Sequence, residues 1–131
     1  MKRLLAVLCL AATPGAGYAA GFYAAAQAEA GRTAFISYCA SCHGFELQGM
    51  GAPPLKGPDF LAAWGTAQGL YQFMSVAMPA SSPGMLDSAT YTDLLAFLMS
   101  RNGIPAGDRP LADNEAARSA VDLLSAAAAR Q

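Results

Sequence analysis

Cys39-Ala40-Ser41-Cys42-His43 constrains this chain more than any other stretch of its 131 residues. Two thiols three positions apart sit about one helical turn from each other, so both can reach one edge of a flat partner. The next residue places an imidazole beside them. Cys-x-x-Cys-His is the attachment pattern of a c-type haem, in which the thiols bond the porphyrin and the imidazole ligates the iron.

The segment before the motif is read first as a targeting signal. Met1-Lys2-Arg3 is a charged start, Leu4 to Ala12 is apolar, and Pro14-Gly15 breaks the helix before a run of small residues. This is a secretory signal peptide pattern over residues 1–19, with cleavage expected after Ala19, or further on within Ala24-Ala25-Ala26. Its apolar run is too short for a membrane span of about 20 residues, so no transmembrane span is expected after cleavage. Export places the chain in the periplasm. Removing Cys9 with the signal leaves Cys39 and Cys42, and no odd thiol.

The alternatives to haem at this motif are weaker. A thioredoxin-like redox pair opens a helix after a strand, and no strand pattern precedes Cys39. A closed zinc site needs four ligands, and beyond the signal the chain offers two Cys and one His. About 110 residues then remain, enough for one small domain with a thin core, which a buried porphyrin would supplement. After residue 19, six basic residues against nine acidic leave a net charge of −3. No nucleic acid is expected as a partner, because that partner calls for a basic stripe.

Apolar periodicity is helical throughout. A first helix runs to about the Cys motif, with Gly31, Phe35, Cys39 and Cys42 at spacings of four, four and three on one face. Gly31 predicts close approach of another backbone. Gly44 to Gly57, with Pro53-Pro54, is irregular. A short helix is expected at Asp59 to Trp64 with Asp59 as its N-cap. A second runs from Thr66 to about Ala77, with Leu70, Phe73, Met74 and Ala77 as its apolar face. Met78-Pro79 ends it, since a residue before proline is pushed out of the α region. Asp87 caps the clearest helix, whose stripe is Tyr91, Leu94, Leu95 and Leu98. Gly103 closes that helix and Pro105 stops it. The expected domain covers residues 20–108. An Ala-rich extension at 109–131 carries a weak stripe of Ala117, Val121, Leu124 and Ala128, read as a helix lying on the domain, a frayed end, or a docking element.

His43 is the only histidine, so two imidazoles cannot ligate one iron within this chain. Its second ring nitrogen needs an acceptor, for which a carbonyl in the Pro53 region is the candidate. The sixth position is left to a Met, Lys56, a Tyr or an open site; of the methionines, Met74 and Met99 lie on apolar helix faces, where methionine is ordinarily packing. Met50 is too close in sequence to cross to the other haem face. Met78 and Met85 flank a loop that can aim a thioether, and Met78 is favoured over Met85.

From about Ala28 to Gly107 the chain resembles a class I c-type cytochrome. It is similar to the small bacterial monohaem proteins related to the haem domains of quinohaemoprotein dehydrogenases. Gly31 and Phe35 ahead of the Cys motif, Pro53-Pro54-Leu55-Lys56-Gly57, Met78-Pro79 with Pro83-Gly84, and Tyr91, Leu94, Ala96, Phe97 with Asn102-Gly103 carry the likeness. The resemblance implies an all-α cytochrome c fold: about three to five helices around one covalent haem c, with first and last helices crossing. In that crossing, Gly31 and Phe35 are expected to meet Leu94 and Phe97. It implies a site of Cys39, Cys42, His43, Pro53, Leu55, Trp64 and Met78, with His43 and Met78 as iron ligands. Trp64 is either a hydrogen-bond donor to a propionate or a buried aromatic beside Phe60, and Tyr71 is a weaker propionate candidate. Lys56 is placed at the rim of the haem edge or simply in solvent.

A six-coordinate haem has no open position for substrate, so the expected role is one-electron carriage rather than enzymatic turnover. The partners expected from resemblance are a periplasmic dehydrogenase as donor and an oxidase or another cytochrome as acceptor. Small apolar residues near the haem edge (Ala40, Gly49, Met50, Gly51, Ala52, Ala80) are expected to suit a short-lived contact. The other readings are a five-coordinate haem enzyme or gas sensor, and a haem subunit of a periplasmic dehydrogenase complex.

Overall fold

Seven helical segments account for the regular structure of residues 20–129, which the computed structural model describes: α1 (Ala25–Tyr38), α2 (Ala40–His43), α3 (Pro58–Trp64), α4 (Ala67–Ala77), α5 (Ser88–Arg101), α6 (Glu115–Ser119) and α7 (Leu123–Ala128). The expected signal at 1–19, with Cys9, lies outside the described residues. Among the described residues the only strand-like pairings are two isolated bridges, Ala24 with Gly107 and Thr66 with Asp122. The segments outnumber the helices expected because α2 is a single turn set off from α1 at Cys39, and the C-terminal extension adds two more.

The helix starts follow local chemistry. Thr66 accepts from the Gly69 amide and Asp87 from the Thr90 amide, satisfying donors that the first helical turn leaves free. Asp59 does not cap α3. Gly57 holds that position and Pro58 fills the first turn, where its missing N–H costs nothing. At the end of α5, Gly103 adopts φ +79°, its amide bonds to the Ser100 carbonyl, and the Ile104 amide bonds to Met99. That left-handed exit is the αL closure that the Asn-Gly pair foretold, with Asn102 as C-cap and Gly103 one residue beyond it.

Two helices, α1 and α5, cross at the centre. A Cβ at Gly31 would lie 1.9 Å from the Asp93 carbonyl oxygen and 2.9 Å from Phe97 Cβ, so only glycine allows the approach. One turn on, Phe35 and Phe97 pack with ring centroids 5.1 Å apart. The segment before α1 is tied in as well. The Phe22 amide bonds to Pro105 O, the Gly107 amide to Tyr23 O, and the Tyr23 hydroxyl to Ile104 O.

The segment after residue 108 is docked along the domain. The Gln27 side-chain amide exchanges two hydrogen bonds with the backbone of Leu111. Farther on, the Ala67 amide bonds to Val121 O and the Leu123 amide to Gly65 O. The stripe read from sequence is overturned in part. Leu123 and Ala126 are buried while Leu124 is 43 % exposed, because a break at Ala120-Val121 resets the helical phase between α6 and α7.

Arg118 is the buried charge of this segment. Its guanidinium donates to Gln68 Oε1 (2.7 Å), Asp113 Oδ1 (2.8 Å) and Thr92 Oγ1 (3.5 Å), and lies 3.6 Å from the centroid of the Tyr71 ring. Tyr71, weighed as a propionate donor, instead gives its hydroxyl hydrogen to Ser88 and its ring to Arg118. The Asp113 carboxyl is held below the usual carboxylate range, first by the Ser88 hydroxyl and then by Thr92 and Arg118. A depressed folded-state pKa contributes stability that is present above the unfolded value of about 3.9 and lost as pH falls through the folded value. Docking of the C-terminal segment is therefore expected to hold through mild acid and to weaken only below about pH 4, read as acid-dependent proteolysis within residues 109–129.

Candidate functional site

The Cys motif forms its own turn. Helix α1 ends where Cys39 leaves helical geometry (φ −124°, ψ −35°), and the Cys42 and His43 amides both bond to the Cys39 carbonyl. Cys39 is half-buried and Cys42 exposed, as expected for two anchors at the edge of a slot. Burial, and secondarily Cys42, pushes the Cys39 thiol up to about 11. Among the described residues, no three His, Cys, Asp or Glu side chains cluster to hold a bare metal ion.

After Gly44 the chain folds back under His43. The Gly49 amide bonds to His43 O, the Ala52 amide to Cys42 O, and the Leu55 amide to Leu47 O, with Leu47 fully buried. This loop carries Pro53 O to 2.7 Å from His43 Nδ1. A carbonyl only accepts, so Nδ1 carries the proton and Nε2 keeps its lone pair for a metal.

Asn102 pins the far end of the same loop. Its side-chain nitrogen donates to Leu55 O (3.0 Å) and Leu98 O (2.8 Å), and its oxygen accepts from the Gly57 amide (2.9 Å). The residues read as resembling a helix exit therefore also brace the proximal loop, a role that spacing along the chain does not reveal. Replacing Asn102 with alanine is expected to cost about 2 kcal/mol, since half-buried loop groups lose their partners. Thermal unfolding and faster exchange of the Gly57 amide would register the change. The nearby Arg101–Glu46 ion pair is exposed and adds little.

Met78 caps the C-terminus of α4 in extended geometry. Its amide bonds to Met74 O, and its carbonyl accepts from the Gly84 amide (3.2 Å) and the Tyr91 hydroxyl (2.5 Å). Tyr91 is 2 % exposed, so this hydroxyl is delivered from the core of α5.

These elements enclose one cleft. Cys39, Cys42, His43, Leu55, Trp64 and Met78 all line it, on a wall completed chiefly by apolar side chains of α1, α3, α4 and α5. It holds about 1100 Å³ of atom-free space, its open mouth included. Pro53 stands behind the cleft and acts through its carbonyl. Trp64 packs on Phe73 with centroids 4.7 Å apart, and Phe73 also lines the cleft, so it belongs to this site more than to the α4 core. The methionines separate. Met78 and Met74 line the cleft, whereas Met85 is 55 % exposed on a groove beside α1 and Met50 is 69 % exposed.

The residues present fit a covalently held haem: two thiols at one edge, an imidazole in the tautomer that can ligate, a thioether in the same cleft, and walls without charge. At the rim, Lys56 takes the solvent alternative and one expectation changes. Lys56 is exposed and does not line the cleft. Ala40, expected at the contact surface, is 1 % exposed because it faces the core from the turn between the thiols. Met50, Gly51 and Ala80 are exposed, as are Phe45 and Val76, which the sequence reading left out; of these only Gly51 and Ala80 line the cleft.

A family model described as cytochrome c oxidase, cbb3-type, subunit III matches residues 26–98, more than half of the chain. No curated protein and no solved structure matches it significantly.

Proposed function

For a chain that belongs to the cbb3-type cytochrome c oxidase subunit III family, and is thereby a class I c-type cytochrome, we propose the role of a periplasmic one-electron carrier. The observation that carries this reading is the His43 Nδ1 contact with Pro53 O on the wall of an apolar cleft that also holds both thiols and Met78. Cys39 and Cys42 would hold haem c through two thioethers, with His43 and Met78 as axial ligands. When bound, that group supplies a reversible change of one electron between ferric and ferrous iron.

The chain's own residues then have separable tasks. Pro53 fixes the His43 tautomer, and a hydrogen-bonded imidazole is a stronger donor. Leu55, Trp64 and the apolar wall would exclude water from the bound group, an environment that favours the less charged ferrous state. Cys42 is the exposed anchor of the pair, on the side where a partner protein would exchange an electron with the bound group. Exposed Phe45, Met50 and Val76 offer the apolar area of a transient contact with a dehydrogenase donor or an oxidase or cytochrome acceptor.

Export through residues 1–19 completes the reading. The hydrogen bonds of Phe22 and Tyr23 to Pro105, Gly107 and Ile104 support cleavage upstream of them, after Ala19, rather than within Ala24-Ala25-Ala26. No described helix is long and apolar enough to cross a membrane.

Haem staining after denaturing electrophoresis, combined with a redox titration, tests the proposal. The wild-type chain is expected to stain and to titrate as one electron, and the double variant Cys39→Ala/Cys42→Ala to lose the stain entirely. A wild-type chain that matures in a cytochrome c-assembling host without covalent haem would sink the reading. Because the matching family is described as an oxidase subunit, a haem subunit within a larger respiratory assembly is the second reading. The native size of the protein from a periplasmic extract separates the two, since a free carrier elutes near the mass of the single chain.

A further inference from the structure

The family model ends at residue 98, yet the segment beyond residue 108 grips both helices that flank the Met78 loop. Arg118 is 6 % exposed, and a buried guanidinium keeps only those positions where its donors and its charge are satisfied. Here Gln68 on α4, and Thr92 on α5 with Asp113, supply the acceptors. Its flat face covers the Tyr71 ring at 3.6 Å, a cation–π contact that fixes the plane of the ring. Tyr71 in turn meets Tyr91 at 6.4 Å and 81°, edge against face. Tyr91 then donates its hydroxyl to the Met78 carbonyl. A continuous chain of contacts thus runs from the C-terminal segment to the backbone of Met78.

We propose that the segment from Asp113 to Val121 is a clamp on the methionine loop, with Arg118 as a positioning residue that holds Tyr71, Tyr91 and hence Met78 in place. The proposal rests on the reading of Met78 as the sixth ligand. Its consequence is competitive: a loosely held thioether yields its position to an added ligand more readily than a clamped one. A clamp built from a buried charge suits the task, because moving the guanidinium off its partners exposes several unsatisfied groups at once.

The test uses the matured holoprotein, with imidazole as the competing ligand and hydrogen exchange at the Gly84 amide, which bonds to Met78 O, as a second readout. Arg118→Leu is expected to tighten imidazole binding about tenfold and to speed Gly84 exchange by a similar factor. Tyr71→Leu reproduces both changes. Tyr71→Phe, which keeps the ring under the guanidinium, changes each less than twofold. Amides of the α1–α5 crossing, such as Phe97, keep wild-type protection in all three. Should Arg118→Leu fail to accumulate, Asp113→Asn loosens the guanidinium without removing it and is expected to give an intermediate shift.

Unchanged imidazole affinity and Gly84 exchange in Arg118→Leu, or no shift in Asp113→Asn, would overturn the clamp. So would equal acceleration at Phe97, which marks general loosening. If the wild type lacks the ferric thioether–iron absorption band, the reading of Met78 has failed instead, and Gly84 exchange still decides whether the clamp acts on the loop.

Discussion

Replacing Met78 with alanine is expected to abolish the long-wavelength ferric absorption band of a thioether–iron bond while leaving the haem covalently attached. Loss of the thioether favours ferric iron, so the midpoint potential is expected to fall by on the order of 0.1–0.2 V, a fraction of the roughly 0.8 V that axial ligands command. The vacated position should take up imidazole with far higher affinity than in the wild type. Met85→Ala is the control. Met85 lies on another groove and is more than half exposed, so its removal is expected to leave band and potential unchanged. Loss of the band in Met85→Ala and its survival in Met78→Ala would reverse the assignment. Attachment survives in both, because the thiols and His43 belong to a turn that neither methionine touches through its backbone.

Gly31→Ala is expected to damage the fold more than any substitution on the surface. Two opposed effects set its sign. Alanine is favoured over glycine inside a helix by roughly 1 kcal/mol. Against that, the new methyl would sit 1.9 Å from a carbonyl oxygen and 2.4 Å from the carbonyl carbon of Asp93, and backbone cannot rotate aside as a side chain does. Overpacking of this kind costs about 3 kcal/mol or more, so the steric effect wins. The helices must part, opening the Phe35–Phe97 contact below and the cleft wall that Phe35 supplies. For a domain of this size a net loss near 2 kcal/mol lowers Tm by on the order of 10 °C, measurable by thermal unfolding of the holoprotein. A Tm equal to or above that of the wild type would show that α1 and α5 do not approach as closely as Gly31 requires.

The legible features share a short range. Asp87 caps its helix because capping couples a side chain to an amide three residues on, a distance that sequence spacing encodes directly, whereas Thr66, read as the first helical residue, turns out to be a cap of the same kind. The turn at Gly103 and the face shared by Gly31 and Phe35 are of the same kind. Asp59 misled for a related reason. An acidic residue early in a helix reads as a cap, but Pro58 needs no partner for its nitrogen and moves the cap two residues back, to Gly57. Leu124 misled because one helical period was extended through a break at Ala120-Val121 that carries no proline or glycine to announce it.

By itself the sequence determined that this chain is all-helical, carries a haem-attachment motif and has a single histidine to ligate with, since each is a matter of residue identity or of neighbours within a turn. Only the tertiary structure decided that Met78 and Met74, and not Met85, share the cleft with His43, that Asn102 braces the loop under His43 45 residues away, and that Arg118 is buried against Gln68, 50 residues away. Those pairings follow from how α1 and α5 cross and where the C-terminal segment lies on α4. Periodicity records which face of a helix is apolar. It does not record what that face will meet.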